Sequence, residues 1–110
     1  MKRFTIIGGG VAGLTAAIGL NKIGIQVSIF ESAKILAGIG AGFGLAANAI
    51  QALDYLDLKD GVIPLGHYLE NYNILDEQGK ILASPETNKI SAQYEQDNFA
   101  IHRADLHQFL

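Results

Sequence analysis

Residues 4–31 read Phe-Thr-Ile-Ile-Gly-Gly-Gly-Val-Ala-Gly-Leu-Thr-Ala-Ala-Ile-Gly-Leu-Asn-Lys-Ile-Gly-Ile-Gln-Val-Ser-Ile-Phe-Glu. From Arg3 to Gly8 a short apolar, β-branched run closes on glycine. That is the pattern of a strand buried on both faces, as in a parallel sheet. Val11 to Ile23 is rich in Ala, Leu and Ile around most of a helical cylinder, which predicts a helix packed on that sheet. Gly24 is placed to stop it. From Ile25 to Glu31, Ile25, Val27 and Ile29 alternate with Gln26 and Ser28, which predicts a second strand. Strand, helix and strand make one βαβ unit, whose crossover is expected to be right-handed.

Within this unit Gly8-Gly9-Gly10-Val11-Ala12-Gly13 fits G-x-G-x-x-G. The pattern is weak alone and becomes specific between a strand and a helix, with an acid at the end of the next strand. Gly8 allows the tight turn. Gly10, with no Cβ, lets a diphosphate approach the backbone, and Gly13 lets the helix pack closely on the strand. The first N–H groups of the helix, near Val11 and Ala12, then face the phosphates at the positive end of the helix dipole. Glu31 stands where a carboxylate accepts hydrogen bonds from the adenosine ribose, and its charge disfavours a 2′-phosphate. The residues alone leave FAD and NAD both open, because the two share this fingerprint.

The chain has 110 residues, which supports one small domain. With 49% hydrophobic and 17% charged residues the composition is that of a globular protein. A formal net charge of −3 argues against a nucleic-acid surface. With no cysteine, a disulfide scaffold, a thiolate metal site and a cysteine nucleophile are excluded. The apolar stretch after Lys2 and Arg3 is interrupted by Gly8-Gly9-Gly10 and lacks a cleavage site, so neither a signal peptide nor a membrane span is expected. A cytoplasmic location is the expectation that follows.

Beyond Glu31, residues 32–44 read as a glycine-rich loop and Asn48 to Leu58 as a helix. Gly61 to His67 reads as irregular. Tyr68 to Leu75 and Lys80 to Ser84 flank Asp76-Glu77-Gln78-Gly79 as a hairpin, in which Tyr68, Tyr72 and Phe99 are expected to pack. Thr87 to Asn98 reads as an exposed loop, Phe99 to Ile101 as a short strand and Arg103 to Leu110 as a helix start. Asp54, Asp57 and Asp60 read as a solvated face. His102 and His107 are five apart, which misses helical ligand spacing, so His67, His102 and His107 read as surface or core-edge residues and no metal site is expected. The chain stops on the apolar residues Leu106, Phe109 and Leu110, and two parallel strands leave sheet uncovered. It therefore reads as an amino-terminal piece of a longer protein, with self-association expected of the piece.

Three segments resemble the FAD-dependent aromatic hydroxylases, the flavoprotein monooxygenases that include salicylate hydroxylase-like and para-hydroxybenzoate hydroxylase-like enzymes. They are Ile6 to Leu20 with Gly24, Val27 and Glu31; Gly40-Ala41-Gly42-Phe43-Gly44-Leu45 with Asn48-Ala49; and His102-Arg103-Ala104-Asp105-Leu106-His107-Gln108-Phe109-Leu110. The last resembles an R-x-x-L-x-x-x-L helix whose arginine lies near the flavin. The resemblance implies an α/β fold with a Rossmann-like βαβ unit and a small β-hairpin region. It also implies FAD as cofactor, NADH or NADPH as reductant, and hydroxylation of a small aromatic substrate. The cofactor-binding residues it implies are Gly8, Gly10, Val11, Ala12, Gly13, Glu31, Ser32, Gly42 and Arg103. No catalytic side chain is implied, because the flavin does the oxygen chemistry while protein orients and excludes solvent. Three departures stand out: Ala37 where the family often has arginine, Ala47 where it often has proline, and Ser32 where it often has Arg or Lys. An NAD-binding dehydrogenase, an amine oxidase-type flavoprotein and a non-catalytic dinucleotide-binding module are the alternatives.

Overall fold

A computed structural model describes residues 2–35, 40 and 42–110. Expectations for Ala37, Ala41 and the rest of 36–39 lie outside the described residues. The chain forms two compact units, Met1–Gly42 with His102–Leu110, and Phe43–Ile101.

In the first unit, strand β1 (Arg3–Ile7) pairs in parallel with β2 (Gln26–Phe30), from Arg3 opposite Gln26 to Ile7 opposite Phe30. Helix α1 (Val11–Lys22) connects them. Gly24 ends the helix with φ +80, and the N–H groups of Gly24 and Ile25 return to the carbonyls of Asn21 and Leu20. That is the left-handed glycine cap expected from its position. Ile6 faces α1, its Cγ2 lying 3.3 Å from where a Gly13 Cβ would sit. Alternation therefore puts Phe4 on the same face, joined by their register partners Val27 and Ile29. The opposite face carries the neighbours Ile7 and Phe30, which are 81% and 61% exposed. The expectation that β1 is buried on both faces is thus corrected. A strand buried on both faces needs a layer on each, and α1 supplies one. The last element of this unit is α5 (Arg103–Phe109), with Leu106 and His107 buried.

In the second unit three strands run in the order β3 (Gly42–Leu45), β7 (Phe99–His102), β4 (His67–Tyr68), the outermost residues Gly42 and His102 belonging to the first unit. β4 and β7 are antiparallel, with Tyr68 opposite Phe99. Helix α2 (Ala47–Tyr55) buries Ala47, Ile50 and Leu53, which with Leu45, Val62 and Ile101 form the core of this unit. The Asn98 side chain accepts the Ala47 N–H at 3.1 Å and donates to Ser91 Oγ at 3.2 Å, so it stands in for the missing side-chain cap of α2. A short helix α3 (Lys59–Val62) and a 3₁₀ turn (Ile63–Leu65) precede β4. Strands β5 (Ile74–Leu75) and β6 (Ile81–Ala83) form the hairpin, its turn held by Asp76, whose carboxylate accepts the N–H groups of Gln78 and Lys80. Helix α4 (Thr87–Tyr94) completes the unit.

Several expectations for this region are corrected. α2 stops at Tyr55 because Asp57 turns left-handed, with φ 60, and Leu58 N–H returns to Leu53. Asp54, Asp57 and Asp60 are exposed but do not share one helix. Residues 42–45 form a strand because β7, far along the chain, gives them a pairing partner. Tyr68 to Leu75 is not one strand: Tyr68 leaves the hairpin to pair with β7, where its ring meets Phe99 edge-on at 6.0 Å. Thr87 to Tyr94 is helical rather than loop. Its Lys, Ala and Gln favour a helix, and Ile90 and Tyr94, four apart, share one face.

Candidate functional site

The glycine loop between β1 and α1 is the candidate site, and each glycine there answers to a different demand. Gly8 has φ +106, a conformation that a side chain rarely adopts. A Cβ on Gly13 would lie 2.0 Å from the Gly8 carbonyl oxygen, so α1 can approach β1 only without one. Gly10 needs neither excuse. Its φ of −77 is open to any residue, and the nearest atom to a Cβ there is Arg103 Nη2 at 3.9 Å. The fold does not require glycine at this position, and the space it leaves lies beside a guanidinium. A group that is anionic and must touch the backbone fits that space; a diphosphate is such a group. Val11 and Ala12 follow as the first residues of α1, a helix with no acidic residue in its first turn to compete for its N–H groups.

Glu31, just past β2, reaches back to the loop. Its Oε2 accepts the Gly9 N–H at 2.6 Å, and its Oε1 accepts the Ala33 N–H at 3.0 Å and the Ser32 hydroxyl at 3.4 Å. The Ala33 and then the Gly9 N–H hold the carboxyl below the usual glutamate range. A carboxylate so held is ionised, is exposed, and keeps lone pairs for ribose hydroxyls. Ser32 turns toward Glu31 and adds no charge.

Arg103 opens α5, with its guanidinium beside both Gly10 and Gly40: a Cβ on Gly40 would lie 3.7 Å from Arg103 Cδ and 3.9 Å from Nη1. The loop glycines, Glu31, Ser32 and Arg103 are thereby brought to one place in the first unit. Gly42 opens β3 and is exposed.

One residue escaped the sequence reading. His107 is 7% exposed, and its Nε2 lies 2.7 Å from the Gly9 carbonyl oxygen. It is neither a surface nor a core-edge histidine but a buried tie to the loop. The signal was present as Arg103 and His107, four apart and so on one face of a helix. The pair His102 and His107, five apart, does not share that face. His102 ends β7 and is exposed.

Elsewhere, the second unit holds a mainly apolar cavity of about 280 Å³ lined by Leu45, Leu69, Tyr72, Pro85, Ile90 and Asn98 among others. Among the described residues no charged side chain lines it, so it does not suit a diphosphate.

Residues 6–43 match the family described as the NAD(P)-binding Rossmann-like domain. The chain is 35% identical over 107 residues to 3-hydroxybenzoate 6-hydroxylase 1 of Aquipseudomonas alcaligenes, a match covering 96% of this chain and 27% of that enzyme. Its fold superposes with a TM-score of 0.83 on the tetrameric form of 2-methyl-3-hydroxypyridine-5-carboxylic acid oxygenase, at 29% identity, covering 99% of this chain and 28% of that one. The fold is also that of Klebsiella pneumoniae HpxO, solved with FAD and uric acid, at a TM-score of 0.79 and 21% identity over 97% of this chain and 27% of HpxO. The chain therefore spans 27 to 28% of the length of these relatives.

Proposed function

We propose, for a chain that belongs to the FAD-dependent aromatic monooxygenases through its amino-terminal, NAD(P)-binding Rossmann-like part, that it holds the adenosine diphosphate half of FAD in an enzyme that hydroxylates a small aromatic substrate with NADH or NADPH and O₂. Residues 1–110 are, in this reading, the first part of a longer FAD-binding domain. A cytoplasmic location goes with the use of a soluble nicotinamide reductant. Among the described residues no helix is long and apolar enough to cross a membrane.

The observation that carries the reading is Gly10. It is glycine without a conformational need, and it opens a space against the Arg103 guanidinium. In that space the N–H groups at the start of α1, with Val11 and Ala12, hold the diphosphate, and Arg103 balances its charge. Glu31 holds the ribose, with Ser32 supporting the carboxylate through its hydroxyl. Gly42 is included as a backbone neighbour of the cofactor on the strength of its G-A-G segment. FAD when bound supplies the redox and oxygen chemistry. The residues of this chain bind it, orient it and neutralise its diphosphate.

The deciding experiment is the visible spectrum of the full-length protein, followed by oxygen uptake with NADH or NADPH and a panel of aromatic acids. Flavin bands and substrate-stimulated uptake are expected. A colourless protein that binds NAD overturns the reading in favour of a dehydrogenase.

A further inference from the structure

Resting on the dinucleotide reading above, we infer that His107 is a positioning residue for the diphosphate loop, acting through the Gly9–Gly10 peptide. A buried polar side chain costs stability unless it is hydrogen-bonded, and an apolar residue would fill the same space on α5 at no such cost. His107 instead places Nε2 2.7 Å from the Gly9 carbonyl. A carbonyl oxygen only accepts, so Nε2 carries the proton and donates.

The Gly9 N–H is meanwhile held by Glu31 at 2.6 Å. The middle glycine of a three-glycine run, the least constrained backbone in the chain, is therefore held through both its polar groups. One tie comes from β2's end and the other from a helix 98 residues later. A trans peptide is planar, with C=O and N–H on opposite sides. Drawing the Gly9 carbonyl toward α5 thus fixes the plane of the peptide that leads into Gly10 and the first N–H groups of α1. His107 thereby sets how the loop presents those N–H groups, and its α5 neighbour Arg103 lies beside Gly10. Arg103 supplies charge to the ligand; His107 never touches it.

The test compares His107→Leu, which keeps bulk and loses the donor, with His107→Gln, whose amide can replace Nε2–H. Both are made in the full-length protein and titrated with FAD, ADP and adenosine, with melting followed by circular dichroism. The leucine variant is expected to bind FAD and ADP on the order of tenfold more weakly, as the loop's N–H groups lose their set direction toward the phosphates, while adenosine, which has no diphosphate, is unaffected. Glutamine is expected to restore most of the loss. Should the leucine variant lose its melting transition, His107→Asn takes its place, being polar but too short to reach Gly9, and the same loss is expected. Wild-type affinity for ADP in the leucine or asparagine variant overturns the inference, as does an equal loss for ADP and adenosine or a glutamine variant no better than leucine. A full-length wild-type protein that binds neither FAD nor ADP overturns the dinucleotide reading itself.

Discussion

Gly10 and Gly13 are three residues apart and glycine for opposite reasons, so substituting them should fail in opposite ways. Gly10→Val adds a side chain to space bordered by Arg103 Nη2. The fold is expected to melt near the wild-type temperature while FAD retention is lost, because the side chain fills the diphosphate's place. Gly13→Ala drives a methyl into the Gly8 carbonyl; here the fold itself is expected to lose stability, by about 1–3 kcal/mol or more as at an overpacked site, and to melt at lower temperature. Equal effects of the two changes on folding would refute the distinction. Glu31→Gln is expected to weaken FAD on the order of tenfold, as charge-assisted hydrogen bonds become neutral ones. The Ala33 and Gly9 N–H groups depress the Glu31 pKa in the folded state. Its contribution is therefore fully present above the ordinary glutamate value and disappears as pH falls through the depressed one. Flavin release on acidification should show a step in that range that the glutamine variant lacks. These residues were legible in sequence because the motif ties each to a task. His107 was not, because its partner is a backbone carbonyl 98 residues away, and no side-chain pattern advertises a carbonyl.

Among the elements, β1, α1, β2 and α5 were legible from local periodicity and the glycines that bound them. The Asp76 turn was equally plain, as an acid and a glycine at turn positions. What could not be read was whatever depended on a distant partner. β3 is a strand of two glycines, a phenylalanine and a leucine that exists because β7 lies beside it. β4 detaches from the hairpin for the same reason. α4 has a weak apolar stripe, and its placement shows in the Asn98 side chain that joins Ser91 to the start of α2. Caps make the sharpest test at this scale. Gly24 has φ +80 with open space around a would-be Cβ, so Gly24→Ala meets backbone strain and no clash. It should destabilise the protein by roughly 1 kcal/mol, read from urea denaturation. A neutral result would mean that the α1 cap relaxes without cost.

For the molecule as a whole, the uncovered sheet face has a measurable consequence. Ile7 and Phe30 stand paired and exposed, with Phe4 46% exposed on the face toward α1. Exposed apolar surface on a sheet with unpaired edges promotes association. We propose that the 110-residue chain self-associates at micromolar concentration, and sedimentation should find species larger than a monomer. Ile7→Lys is expected to shift the distribution toward monomer, since the side chain is already at the surface. A single monomeric boundary for the unsubstituted chain would rule the proposal out.

The tie between His107 and Gly9 also sets a schedule. During synthesis the strand–helix–strand unit emerges complete with its glycine turn, yet the residue that fixes the Gly9 peptide is translated 98 residues later. A nascent chain that has passed Glu31 holds a phosphate loop secured on one side. It gains the second hold only once α5 has left the ribosome and closed that long loop, a step whose entropic cost is met late. On the proposed reading, full-strength cofactor capture then follows translation of His107, and a ribosome stalled before Arg103 should display the βαβ unit without its full grip on a dinucleotide.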